Sequence, residues 1–517
     1  MRLRLLLWIV CGGAILAATQ GASSLSAAVP RVASSANWPA YNNDAGSQRY
    51  ATSTQISQSS VSGLHVICSA PLGAQVRFET GPIVVNGVLY ATTATKTYAF
   101  NAATCAALWT NTYTLSKPGG AANRGAAYAN GKLFRGFSDG HVIAIDATTG
   151  ATLWNQTIIA SGSYEYISAA PIAWKSSIFI GTANGDNGQM CHVVALAQAS
   201  GAIAWMQQTV PNPPSKNWKG ATRIAGGATW TSFTLDTSSG KLYVPVGNPG
   251  PDFDVRLRGG SNLYTNSILE LDSATGAMTR GVQLVPNDYH DWDQGAAPAI
   301  ATLANSQKVM LTVGKDGILR SLNFSTLDAL WKTPVTTISN ATAPITVKGT
   351  HFCPGGAVFW NGPSYSKSSG LVYVNAVDWC KTVDLSATPQ PYVPGQPWLG
   401  TSDGYGVHDA TSSGWLTAVD AESGAVRWRY HATTPLVAGV TSTAGGLVFS
   451  ADLNGNVMAF NDTTGALLKT IDTGAAVGGG LISYEVSGTQ YIAAAVGFVS
   501  PMWSPTQVNS SIVVMGI

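Results

Sequence analysis

One recurring pattern limits what this chain can fold into: an apolar alternating strand, a short polar turn, then small residues leading to a large one. It appears as "TYAFNAATCAALW", "VIAIDATTGATLW", "VVALAQASGAIAW", "ILELDSATGAMTR", "LRSLNFSTLDALW", "LTAVDAESGAVRW" and "VMAFNDTTGALLK". The copies end at Trp109, Trp154, Trp205, Arg280, Trp331, Trp428 and Lys469, so most steps are 41 to 51 residues. Units of that length, built from period-two strands and Gly, Asn and Asp turns with hardly any helical periodicity, predict a β-propeller. The step of 97 residues between Trp331 and Trp428 is about twice the usual one, and "SGLVYVNAVDW" within it reads as a degenerate eighth unit. The expected fold is therefore all-β, an eight-bladed propeller of four-stranded antiparallel blades, with the repeated tryptophan packed between neighbours.

The first 28 residues read as a secretory signal peptide: Arg2 and Arg4, an apolar run from Leu5 to about Ala18, then small residues at Ser26, Ala27 and Ala28. No later stretch reaches the roughly 20 apolar residues of a transmembrane helix. Residues 29–517 are thus expected to form a single periplasmic or secreted propeller domain. Without the signal the 28 basic residues become 26, equal to the 26 acids. A neutral chain argues against a nucleic-acid partner, which needs a positive field. Five cysteines remain, and in an exported chain Cys68 with Cys105 and Cys353 with Cys380 are the expected pairs, leaving Cys191 free. No Cys-x-x-Cys zinc spacing and no Cys-x-x-Cys-His haem site is present.

Chain beyond a minimal blade accumulates around residues 206–226, 250–266, 284–298 and 381–412, and long loops of this kind usually build the functional face. One of them, "VPNDYHDWDQGAAP", gathers Asp288, Asp291 and Asp293 in a protein of which only 10% is charged. Crowded carboxylates bind, catalyse or cap turns, and the residues alone leave all three open.

Several stretches resemble the quinoprotein alcohol dehydrogenases, the methanol, ethanol and polyvinyl-alcohol dehydrogenases that use pyrroloquinoline quinone (PQQ). The resemblance begins at "NWPAYNNDAGSQRYATSTQIS" and runs to the last repeat. Its strongest part is a linked pair, Trp230 and, 18 residues on, Asn248 of "GNPGP". In the family that Trp lies against the quinone and that Asn binds calcium, which suits a planar cofactor needing an aromatic floor and a hard cation needing oxygen ligands. The resemblance implies that Asp293 of "HDWDQG" is the catalytic base and also a calcium ligand. Lys315 of "VGKDG" then contacts the reactive quinone carbonyls, where a cation stabilises developing negative charge. Arg124 of "ANRGAAY" and Ser168 of "SAAPI" bind the quinone carboxylates.

There are departures. The family's calcium-binding Glu falls at Asp186 of "NGDNG", one methylene shorter and also a good hairpin turn. Two residues after the base, where lanthanide-dependent relatives carry a further Asp, stands Gly295, which favours calcium. The adjacent disulfide that covers PQQ in many members would fall near Pro118 and Gly119, where there is no cysteine. The resemblance implies oxidation of a small or polymeric alcohol, with electrons passed to a separate acceptor such as cytochrome c. Two other readings compete: a non-catalytic scaffold like the outer-membrane assembly propellers, and a glycoside hydrolase using paired aspartates.

Overall fold

The computed structural model describes residues 36–73, 76–117, 122–211, 215–500, 502–503 and 505–517. The expected signal peptide and the Pro118–Gly119 position lie outside these. The described chain is all-β, its helical segments being three-residue 3₁₀ turns such as Gly185–Asn187. No helix among the described residues is long and apolar enough to cross a membrane.

The strands form propeller-like antiparallel sheets of four. In the second of them, Ala127–Ala129, Lys132–Gly136, His141–Asp146 and Thr152–Thr157 pair in sequence order. The repeat unit seen in the sequence is the third strand, the turn and the fourth strand of such a sheet. Third strands are buried on both faces, as in His141–Asp146, whereas fourth strands such as Thr152–Thr157 are exposed at alternate residues. Apolar layers fill the spaces between successive sheets. Leu133, Ile143 and Ile145 pack on Ile83, Tyr90 and Ala99 of the preceding sheet, and Ile482, Tyr484 and Ile512 of the C-terminal sheet pack on Val84, Leu89 and Phe100. Each such side chain contributes about 1.5–3 kcal/mol by leaving water.

The repeated tryptophan has a specific docking place. Trp154 Nε1 donates to the Gln198 carbonyl (3.0 Å), and its ring lies where a Cβ on Gly201 would come within 2.6 Å. Trp109 docks on Ala147 and Gly150, Trp205 on Ser273 and Gly276, Trp331 on Ala421 and Gly424, and Trp428 on Asp462 and Gly465. Glycine serves the turn twice: it adopts positive φ, 75° at Gly201, and leaves room for the indole. Where the turn carries Leu327 instead (φ 63°), the partner is Arg280, which donates to the Phe324 carbonyl (3.0 Å).

One expectation is corrected. "SGLVYVNAVDW" is not a unit of its own. Its strand Leu371–Asp378 pairs with Ser364–Ser366 and Ser413–Asp420 in the sheet that ends at Val426–Ala432, which carries Trp428. The extra length lies in residues 335–363 and in the 379–412 excursion, whose strands Lys381–Val383 and Val407–His408 join Thr350–Phe352 in a small sheet. A further four-stranded sheet instead joins Val477–Val486, Thr489–Val496 and Ser511–Gly516 to the early strand His65–Pro71. Its outer strand has a register shift between Val66 and Cys68, matching the shift before each docking tryptophan, so Cys68 takes the tryptophan's place. It is bonded to Cys105, which has positive φ in the turn of the next sheet. The second expected disulfide, Cys353–Cys380, is also present, and Cys191 is free and buried.

Candidate active site

A cavity of about 310 Å³ is lined by Arg124, Ser168, Asp186, Trp230, Asp293 and Lys315, six of the seven residues the sequence singled out. The seventh, Asn248, lies directly behind. Its backbone N–H donates to Asp293 Oδ1 (2.7 Å). Gly247 makes that approach possible, since a Cβ there would lie 2.2 Å from the same oxygen.

The 285–298 loop answers the question of its three aspartates, because each is used differently. Asp288 is a structural cap: it accepts from the backbone N–H of His290 (2.9 Å) and Trp292 (2.8 Å) and from Asn266 Nδ2 (3.1 Å). Trp292 then stacks on His290 with ring centroids 4.0 Å apart and donates to the Pro354 carbonyl (3.0 Å), which pins the loop. Asp291, at φ 62°, and Asp293 are left pointing at one cation. Lys315 Nζ lies 2.8 Å from Asp291 Oδ1 and 2.8 Å from Asp293 Oδ2, and the Lys315 amide donates to the Asp293 carbonyl (2.9 Å). Burial alone would lower the Lys315 ammonium, but the Asp291, Asp293 and Asp186 carboxylates outweigh it and hold it well above the usual range. Burial raises Asp293, against the pull of Lys315.

Trp230 presents its ring to the cavity and is held through its carbonyl, which accepts from Arg124 Nη1 (2.9 Å) and Ser168 Oγ (3.0 Å). The Arg124 guanidinium carbon lies 4.6 Å from the indole centroid and Lys315 Nζ 5.8 Å from it. A planar indole flanked by two cations suits a flat, anionic, aromatic ligand. Arg124 also pairs with Glu79, a wall residue absent from the sequence reading.

For a hard cation the candidate oxygens are those of Asp186, Asn248 and Asp293. The Asn248 amide nitrogen donates to the Pro249 carbonyl (3.3 Å), and its side-chain oxygen accepts from no described residue. Asp186 Oδ2 accepts from the Tyr405 hydroxyl (2.8 Å). Burial and then the Asp293 charge raise the Asp186 carboxyl, a mutual repulsion that a cation between them would relieve. No three carboxylates have oxygens within 4.8 Å of one another here among the described residues, so a coordination shell needs amide or carbonyl oxygens, or a side-chain shift that brings in a third carboxylate. The donors are all hard oxygens and fit calcium in kind.

Sequence reasoning missed the opposite wall. Phe359, Trp360 and Trp379 line the cavity with Lys381, Tyr405 and His408. Trp379 stacks on His408 at 3.7 Å between centroids and 5° between planes. Burial, then Lys381, pushes the His408 imidazole down to about 4, so it is neutral. The signal was the 381–412 excursion, legible as a long loop but not as to where it folds back.

Sheets of this kind around a cavity with an aromatic floor, flanking cations and hard oxygens define a quinoprotein-type dehydrogenase. Residues 38–343, more than half of the chain, match the sequence profile of the glucose/ethanol/alcohol dehydrogenase PQQ β-propeller domain, and the chain belongs to this PQQ-dependent alcohol dehydrogenase family. In particular, it is similar to the quinohemoprotein alcohol dehydrogenase of Comamonas testosteroni, 29% identical over 94% of this chain and 77% of the relative. It is 30% identical to the dehydrogenase subunit of a quinone-type alcohol dehydrogenase from Gluconacetobacter polyoxogenes, over 89% of this chain and 71% of that one. The crystal structure of the Comamonas enzyme superposes with a TM-score of 0.84 at 25% identity, covering 94% of this chain and 81% of that one. A europium-containing methanol dehydrogenase shares the fold (TM-score 0.83, 23% identity, covering 93% and 98%). Residues 412–495 also match the profile of the outer membrane protein assembly factor BamB.

Proposed function

We propose that this protein oxidises an alcohol to an aldehyde or ketone using PQQ and calcium held in the cavity above Trp230. The observation that carries the reading is the Trp230 ring with Arg124 at 4.6 Å and, beside it, Lys315 clamped to Asp293. Held there by these residues, PQQ would supply the hydride acceptor for the alcohol carbon and calcium would supply Lewis acidity. The protein does the rest. Arg124 binds a cofactor carboxylate, Ser168 binds another once its hydroxyl turns from the Trp230 carbonyl, and Trp230 sets the cofactor's plane. Lys315 would steady the negative charge that develops on the quinone. Asp293 takes the hydroxyl proton: two donors, the Asn248 amide and Lys315, fix its orientation and leave carboxylate lone pairs free. Asp186 and Asn248 supply oxygens to calcium. Phe359, Trp360 and Trp379 keep water from the reacting carbon.

The reading extends to architecture and location. The described residues between 36 and 517 form one closed eight-bladed propeller. In support, Lys469 Nζ donates to the Ser62 carbonyl (2.9 Å) and Cys68 is bonded to Cys105, so the docks pass from the last repeat to the early strand and back to the first sheet. The protein is exported to the periplasm or beyond, a reading supported by the N-terminal Arg2, Arg4 and apolar run and by two disulfides. Electrons pass to a separate acceptor such as cytochrome c. The substrate is a small or polymeric alcohol.

The test is titration of purified protein with PQQ, with and without calcium, followed by a dye-coupled screen of alcohols. Quenching of Trp fluorescence that requires calcium is expected. No quenching under either condition favours the scaffold reading.

A further inference from the structure

The loop that delivers Asn248 carries another carboxylate that no contact described so far uses. Asp252 is 0% exposed, and neither Oδ1 nor Oδ2 accepts a hydrogen bond from any described residue. Its backbone, by contrast, is firmly held. Arg258 donates to the carbonyls of Pro251 (2.7 Å) and Asp252 (2.8 Å), and the Phe253 amide donates to the Leu399 carbonyl (3.0 Å). A buried carboxylate without donors is costly, and chains keep one where it is protonated or meets a cation.

The surroundings favour the cation. The Asn248–Asp252 turn packs on the turn that carries Asp186: the Gly250 amide donates to the Ala225 carbonyl (3.0 Å), and a Cβ on Gly250 would lie 3.3 Å from the Gly185 carbonyl oxygen. Burial, then the charges of Asp186, Asp291 and Asp293, push the Asp252 carboxyl well above the usual range, so in the bare cavity these groups repel one another. Lys381, 1% exposed, lines the same cavity and has no salt bridge among the described residues. Four carboxylates, Asp186, Asp252, Asp291 and Asp293, and two ammoniums, Lys315 and Lys381, lie near enough to act on one another's charge. Among these six, ionised carboxylates outnumber ammoniums by two.

We propose that Asp252 is a ligand of the calcium ion, providing the hard oxygen that Asp186 cannot fully supply while its shorter side chain is engaged by Tyr405. The assignment rests on the reading that the cavity binds calcium. Replacement of one carboxylate ligand by an amide should weaken a divalent ion and weaken a trivalent ion further, because the lost Coulomb energy scales with ionic charge.

The experiment uses the full mature chain, stripped with chelator and free of quinone, as wild type and as Asp252→Asn. Calcium affinity is read by calorimetric titration, terbium binding by Trp-sensitised luminescence, and stability by the melting temperature with and without calcium. Asp252→Asn is expected to bind calcium at least 10-fold more weakly, to lose more terbium than calcium affinity, and to melt without metal at or above the wild-type temperature, since a buried repulsion is gone. Asp252→Ser, smaller and neutral, is read in the same way should the Asn variant not fold. Unchanged calcium affinity in a folded neutral variant overturns the assignment and leaves Asp252 a protonated structural acid. A wild type that binds no calcium overturns the assignment together with the calcium reading beneath it.

Discussion

A Cβ placed on Gly295 would lie 2.4 Å from Trp230 Cζ2, so the residue beneath the indole has no room for a side chain. Any other residue there must tilt the ring that serves as the floor of the cavity. Overpacking of this kind costs about 1–3 kcal/mol. Gly295→Ala should therefore weaken PQQ binding about 10-fold or more, read as the midpoint of Trp fluorescence quenching. Gly295→Asp should weaken it further and should not raise preference for a trivalent ion. Unchanged quinone affinity in Gly295→Ala would show that Trp230 is not the floor.

The docking exception at Arg280 offers a test of the repeat. Its partner turn carries Leu327 where the turns that receive a tryptophan carry glycine, so an indole has no slot to enter. Arg280→Trp alone should lower stability by about 1–3 kcal/mol, the usual range for overpacking, with loss of the Glu270 salt bridge adding to it. Arg280→Trp combined with Leu327→Gly should recover most of that loss. Chemical denaturation of the three variants decides it, and a double variant no better than Arg280→Trp would contradict the docking account.

His408 gives stability a pH dependence of known sign. Its folded value of about 4 lies below the usual 6.5, so between these limits the unfolded chain binds a proton that the folded chain does not. Stability must then fall as pH drops from about 6.5 toward 4. His408→Gln should flatten that part of the profile, measured as melting temperature against pH. A profile as steep as wild type would mean that His408 is not held neutral against Trp379.

Much of this was legible in the sequence because it is local. The docking tryptophans sit on a strand-turn-strand unit, Trp230 and Asn248 flank one hairpin, and Asp291 and Asp293 lie in one loop. What escaped depends on distant chain. The final sheet is completed by His65–Pro71, more than 400 residues before its other strands, and Cys68 replaces the tryptophan that would have marked it. Lys381, Tyr405 and His408 reach the cavity only because the 379–412 excursion folds back over it, a placement no periodicity encodes. Asp252 lay unmarked in the 250–266 stretch, and only its burial without a donor among the described residues sets it apart.

The central claim is that Asp293 acts as the base in this cavity while Asp291 only shares the Lys315 ammonium. Steady-state oxidation of an alcohol found in the screen, at saturating PQQ and calcium, tests it with Asp293→Asn and Asp291→Asn. Asp293→Asn keeps the shape of the side chain and its contact with the Asn248 amide as far as an amide oxygen allows, so cofactor binding should persist. Turnover should fall by about 10²–10⁴-fold, the usual worth of a positioned general base, and Asp291→Asn should cost far less. Near-normal turnover in Asp293→Asn with loss in Asp291→Asn would contradict the account and move the base to Asp291.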